Sequence, residues 1–125
     1  MRRLMLLGAL LLATVVAQPA SAALKYVVID GSNGTIVGTD LTTADRPRVQ
    51  RLGAGFYRLT FRFNVVVFAG HAQSAGGAGD ATALLFTSTY DPAKPREIHV
   101  STIGAAAGSP LLTRQDGRMT IIVNR

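Results

Sequence analysis

The sequence predicts an all-β fold, a small antiparallel β-sandwich of about seven strands, with a small β-barrel as the alternative closure. Three observations predict it. From Tyr57 to Asn64 apolar and polar residues alternate, with Tyr57, Leu59, Phe61 and Phe63 on one face and Arg58, Thr60, Arg62 and Asn64 on the other. That is the pattern of a strand half-buried against a core. Asp30-Gly31, Asn33-Gly34 and Asp116-Gly117 are pairs that tolerate positive φ, as tight hairpin turns require. Beyond residue 22, apolar residues nowhere hold helical spacing for three turns.

The first element is not part of that fold. Arg2 and Arg3 form a basic head, and Leu4 to Ala17 is a 14-residue apolar run broken only by Thr14. Pro19 then precedes Ala20-Ser21-Ala22, a small-x-small cleavage site. As a helix this run would rise about 21 Å, short of a hydrocarbon core of about 30 Å. Residues 1–22 are therefore expected to be a secretory signal that is removed. The working chain is expected to be one domain, Ala23–Arg125, secreted or periplasmic and without stable membrane insertion after cleavage.

Within that domain the expected strands are Tyr26–Ile29, Thr35–Val37, Tyr57–Asn64, Val65–Phe68, Ala83–Tyr90, Ile98–Ile103 and Met119–Val123. Each is rich in branched or aromatic residues and bounded by turn formers. Asp91-Pro92 and Lys94-Pro95 delimit a short rigid loop, while Ser74–Asp80 and Gly104–Pro110 read as small-residue loops. The expected core is Val28, Val37, Leu59, Phe61, Phe63, Val67, Leu85, Ile98, Val100, Ile121 and Val123. Tyr26, Tyr57 and Tyr90 are expected in the core with their hydroxyls at its rim. Val65–Ala69 and Ile121–Val123 are uncharged, β-prone windows that could pair between copies at a sheet edge. Arg62 and Arg125 flank them as gatekeepers, and both windows are expected to be central strands.

Composition narrows the chemistry. The chain holds no cysteine, which excludes disulfide staples, thiolate metal sites, thiol nucleophiles and a lipidated cysteine. Packing and backbone pairing alone must hold it, which fits a bacterial export route. Loss of Arg2 and Arg3 lowers the formal charge from +6 to +4, a mild basic bias rather than a polybasic tail.

Catalytic patterns are thin. His71 and His99 are the only imidazoles, and neither stands at metal-ligand spacing from a second ligand. Glu97 and His99, two apart, would share one strand face, which makes a Glu–His contact available and nothing more specific. Ser32, Ser74, Ser88, Ser101 and Ser109 lie outside any Gly-x-Ser-x-Gly elbow. The acids stand mostly beside Gly or Pro, as turn formers do. Gly76-Gly77-Ala78-Gly79 lacks the Lys-Ser/Thr ending of a phosphate loop. No catalytic residue, cofactor or metal is expected. The richest surface feature is basic: Arg46, Arg48 and Arg51 cluster, and Arg58 and Arg62 share the polar face of the strongest strand. Together they are a candidate site for weak contact with a polyanion such as lipopolysaccharide, an acidic glycan or nucleic acid. That face shows no interleaved aromatics of the kind a single-strand binder uses, and without Trp a stacking glycan site is not expected.

Gly53-Ala54-Gly55-Phe56-Tyr57-Arg58-Leu59-Thr60-Phe61 resembles a Gly-x-Gly-x-Tyr-x-Val-x-Phe motif. The motif occurs in small secreted bacterial β modules of unknown function, akin to the C-terminal domains of phage tail-fibre-like and bacterial collagen-like proteins. Tyr26-Val27-Val28-Ile29 followed by Asn33-Gly34-Thr35 is similar to their opening hairpin, and Val49–Gly53 to the lead-in of the motif. Those modules usually follow a fibrous stalk, whereas here the domain directly follows the signal. Several also carry a cysteine in the strand after the motif, where this chain has Val65-Val66-Val67-Phe68. The resemblance implies a β-sandwich with a structural or binding role, no catalytic residues to carry over, and a homo-oligomer, a trimer, as one candidate assembly.

The expectation is an exported, non-enzymatic β-sandwich that works by surface contact with an unidentified envelope or extracellular partner. A small secreted enzyme built on a histidine, a protease inhibitor using Asp91–Pro95, and a polyanion-binding protein are the alternatives.

Overall fold

The structure, a computed structural model, describes residues 23–74, 84–105, 108 and 110–125. Nine strands form among the described residues: β1 (Leu24–Asp30), β2 (Thr35–Thr39), β3 (Arg48–Gly53), β4 (Phe56–Thr60), β5 (Val66–Ser74), β6 (Leu85–Tyr90), β7 (Glu97–Ala105), β8 (Leu112–Arg114) and β9 (Gly117–Asn124). They make two antiparallel sheets, sheet I in the order β2-β1-β9-β5 and sheet II in the order β3-β4-β7-β6, with β8 added on β7. The two additions to the expected set, β3 and β8, are short or charged edge pieces whose composition does not advertise a strand. Residues 1–22, most of the 74–80 loop with Asp80, and Ala83 and Ser109 lie outside the described residues.

The core lies between the sheets. Sheet I contributes Val27, Ile29, Ala72, Met119, Ile121 and Val123, and sheet II contributes Tyr57, Leu59, Ile98, Val100 and Thr102, all buried. β7 reads half-buried, buried, half-buried along its whole length, as a strand with one inner face must. Of the expected core, Leu59, Phe61, Ile98, Val100, Ile121 and Val123 are buried, and Phe63 and Val67 pack partly against them. Val28, Val37 and Leu85 are corrected. Val27 and Ile29 face inward in β1, leaving Val28 on the outer face, and Val37 and Leu85 are 51% and 59% exposed. Their inward places go to Ile36 in β2 and to Leu84 and Phe86 around β6. Each error is one residue of phase, which moves a whole strand's side chains to the opposite face. Tyr26 and Tyr90 are likewise exposed, and of the three tyrosines only Tyr57 is buried.

The long strand expected over Tyr57–Asn64 ends at Thr60. The chain then leaves the β3/β4 ladder: the Phe61 amide donates to the Arg96 carbonyl at 2.7 Å and the Val65 amide to the Pro95 carbonyl at 2.8 Å. Residues 61–65 thereby carry the chain from sheet II to sheet I. Phe61 stays buried at this corner with the Phe63 ring 5.2 Å away. The alternation was real, but its second half serves the corner and not a strand.

The two sheets meet differently along their two sides. On one side β2 and β3 are joined by a 3-10 turn, Thr43–Asp45, with Leu41 buried beneath the connection. On the other side one antiparallel bridge, Ala72 to Leu84, links β5 to the residue ahead of β6. Away from that bridge β5 and β6 diverge, and the sandwich does not close into a barrel.

Candidate functional site

Three constellations of side chains stand out by what their residues touch. The first caps one end of the sandwich. Tyr57, directed into the core from β4, reaches its hydroxyl past Gly31 to the β8/β9 turn. That hydroxyl faces Asp116 Oδ1 at 2.5 Å and the Gly31 carbonyl at 2.9 Å. It has one proton, and the charged oxygen takes the larger share of it. Asp116 also accepts from the Gly55 amide at 2.8 Å and from Arg51, whose Nη2 lies 2.7 Å from Oδ2. Burial pushes the Tyr57 hydroxyl far above the usual tyrosine range, and the neighbouring carboxylate pushes it further. Burial also pushes the Asp116 carboxyl up, but hydrogen bonds from Arg51, the Gly55 amide and Tyr57 outweigh it and hold the group below the usual range. Gly55 is obligatory here: its φ is +61°, and a Cβ would come within 2.5 Å of Gln115 N and Thr102 O. Every member is engaged with another, so this cluster is a clasp tying three turns together.

The second constellation is the outer face of sheet II. Register places Gln50, Arg58, His99 and Thr89 side by side across four strands, with Arg48, Thr60 and Glu97 in the next row. Arg58 donates to Gln50 Oε1 through Nη2 at 2.5 Å and through Nε at 3.2 Å. Glu97 Oε1 lies 3.6 Å from His99 Nε2 and 3.8 Å from Arg58 Nη1, so the expected Glu97–His99 contact is present. Phe56 occupies the same face, with the His99 ring stacked 5.8 Å away and the Arg114 guanidinium 4.2 Å over its ring. An aromatic therefore does stand among these cations. Phe56 lies two residues before Arg58, on the same face, and that spacing was the signal for it.

The five arginines singled out by the sequence do not gather. Arg51 faces the end of the sandwich and is paired to Asp116. Arg58 is held by Gln50 and Glu97, while Arg48 lies one row away on the same outer face, opposite Thr60. Arg46 lines a shallow hollow with Ile36–Thr39 of β2, and exposed Arg62 belongs to the corner that leaves sheet II. Only Arg48 and Arg58 share one surface. The two histidines stand on opposite faces of the sandwich: His71 sits opposite Thr120 on the outer side of sheet I, and His99 opposite Arg58 on the outer side of sheet II. No group of three or more His, Asp or Glu side chains among the described residues converges to hold a metal ion. The Asp91–Pro95 loop is braced by Lys94 N to Asp91 O and Ala93 N to Asp91 Oδ1, and its Pro95 end is pinned to Val65.

The third constellation is the side on which the sheets diverge, here called the open seam. Its strands are β5, paired to β9, and β6, paired to β7. Near the Ala72–Leu84 bridge the gap is filled by Phe86, whose ring lies directly on Gly70; a Cβ there would come 2.0 Å from it. Toward the far ends of the two strands no described residue fills it. A cavity of about 260 Å³ opens there, lined by Val65, Val66, Val67, Ser88, Thr89, Tyr90 and Ile98. Val66 is 61% exposed and Phe68 68% exposed. Phe68 stands at a register shift between Val67 and Ala69, a bulge that turns it out of the ladder. The expectation that Val65–Ala69 is a central strand is corrected: β9, which carries Ile121–Val123, is central, and β5 is an edge.

Comparison with known protein families, with characterised proteins and with solved structures finds no match for this chain. Among the described residues no helix is long and apolar enough to cross a membrane.

Proposed function

We propose that this chain is exported and works, secreted or in a periplasm, as a non-enzymatic β-sandwich module that binds a partner along the open seam. Export rests on the basic head, apolar run and Ala20-Ser21-Ala22 site at the start of the chain. The observation that carries the binding function is the seam itself. An uncharged stretch, Val65–Ala69, stands at a free strand edge beside an apolar cavity. Edge strands ordinarily carry Lys or Pro or a cover, because an unpaired row of N–H and C=O groups recruits other strands. Among the described residues the bulge at Phe68 is the only such device on β5, and Val66 and Phe68 remain in solvent beside it. Exposed apolar residues grouped beside a groove mark contact surfaces. His71 and His99 face opposite ways and so do not form one site. Contact with a polyanion is less well served, because Arg51 and Arg58 are already engaged.

The test has two arms. The exported protein is expected to begin at Ala23 by mass spectrometry; retention of residues 1–22 would sink the export assignment. For the seam, chemical crosslinking to envelope and extracellular fractions is compared for wild type, Val66→Lys/Phe68→Lys and Val37→Lys. A crosslinked species lost in the first variant and kept in the second supports the seam. Equal yields from all three would refute it.

A further inference from the structure

From the charge around the open seam we infer that its occupant is an extended peptide segment of another protein. That segment alternates apolar side chains and carries acidic residues at the end reaching the mouth. This rests on the seam being the binding surface. The seam has both parts that strand addition uses: a free backbone edge for hydrogen bonds and a pocket beside it for side chains. β5 runs from Val66 toward the Ala72–Leu84 bridge and β6 runs from that bridge out to Tyr90. The wedge between them is therefore closed at one end and open at the other, and the cavity lies at the open end.

From residue 65 to 73 and from 84 to 90 there is no Lys, Arg, Asp or Glu. A charged side chain entering the wedge would lose its hydration with no counter-charge in reach, so the inserted residues must be uncharged. The mouth is different. The Val65 amide is bonded to the Pro95 carbonyl, which places Lys94 and Arg96 directly beside it. Those two residues line an adjoining hollow with Thr60, Pro95 and Glu97. Arg62 lies on the same 61–65 corner and is exposed. None of these three cations has an ion-pair partner among the described residues. Arg125 nearby is taken up by Asp45 at 2.8 Å, and Glu97 by Arg58 and His99. Asp91, after Tyr90, is the remaining acid at this end. The mouth thus holds an excess of unpaired positive charge next to an uncharged groove, which complements an apolar strand with an acidic end. A second copy of this chain fits less well, because its own mouth carries the same excess of cations.

A random dodecapeptide display library, panned on the purified exported protein, tests this. Three proteins are compared: wild type, Val66→Lys/Phe68→Lys, and Arg62→Glu/Lys94→Glu/Arg96→Glu. All the replaced residues are exposed, and unchanged melting midpoints verify that the variants fold. Enriched peptides are expected to alternate apolar residues and end in Asp or Glu, and to be lost on the seam variant. The charge-reversed variant should weaken them about tenfold and select Lys or Arg in their place. Seam-dependent peptides with no acidic preference would overturn the acidic partner while leaving the seam intact as a binding surface. Failure to enrich any seam-dependent peptide would overturn both. Light scattering that shows a dimer dissolved by Val66→Lys/Phe68→Lys would make a second copy the occupant, and overturn the peptide assignment.

Discussion

The two sides of this sandwich solve one problem in opposite ways. Where β2 and β3 face each other, the chain itself covers the gap. Leu41 and Pro47 are buried under the connection, and Ile36 and Val49 pack on the core. Side chains seal the backbone there: Asp40 Oδ1 accepts from the Tyr26 amide, the Thr39 hydroxyl donates to the Tyr26 carbonyl and accepts from the Leu41 amide, and Arg125 holds Asp45. Where β5 and β6 face each other, the cover among the described residues is a single bridge and one aromatic ring. The difference follows from connectivity. A short link between neighbouring edges must cross the gap and can carry its own plug. The β5-to-β6 connection leaves β5 and enters β6 at the end where the Ala72–Leu84 bridge lies.

Emptying the two sides in turn should separate them most. Leu41→Ala removes a buried plug and is expected to cost about 2–5 kcal/mol. Phe68→Ala, at 68% exposure, should stay within about 0.5 kcal/mol. Equal losses in urea unfolding would mean that the open seam is as well packed as the closed one. Gly70→Ala comes next, because its Cβ would collide with Phe86 and push the ring off β5. A loss of about 1–3 kcal/mol is expected, with faster amide exchange confined to β5 and β6. Uniform exchange across both sheets would show that Phe86 does not hold the bridge end together.

The clasp at Asp116 sharpens the contrast, since its hydrogen bonds lie at the end of the sandwich and outside the open seam. Asp116→Asn should cost about 1.5–3 kcal/mol through its charge-assisted bonds, without changing which side exchanges faster. Its pH dependence has a definite sign. The folded Asp116 carboxyl titrates below the unfolded one, so its stabilisation is complete above about pH 4 and is lost as pH falls through the folded value. Tyr57 is raised on folding, so its contribution is complete below about pH 10 and fades as pH climbs beyond. The melting midpoint should decline on both flanks, and Asp116→Asn should flatten the acid flank. An acid flank unchanged in that variant would assign the decline to other carboxylates.

The all-β class, the β1/β2 turn ending at Asn33-Gly34, where Gly34 takes a φ of +69°, and the buried sides of β4 and β7, where apolar and polar residues alternate, are readable in the sequence. The hairpin expected at Asp116-Gly117 does not form, because β8 and β9 belong to different sheets and Gly117 opens β9 without a positive φ. The sequence also singled out Val65–Ala69 as a segment able to pair, and Glu97 with His99 as neighbours. The phase of Tyr26–Ile29 and of the Leu84–Phe86 stretch is set by strand pairing in the folded chain. Those runs are apolar throughout, and two-residue periodicity gives no preference between faces until a partner strand fixes one. The tertiary structure alone decided which arginines are spent, because Arg51 meets Asp116 across 65 residues of chain. It also decided that β5 is an edge. A strand's place in a sheet is set by which other strands pair with it, and no local run of residues carries that information.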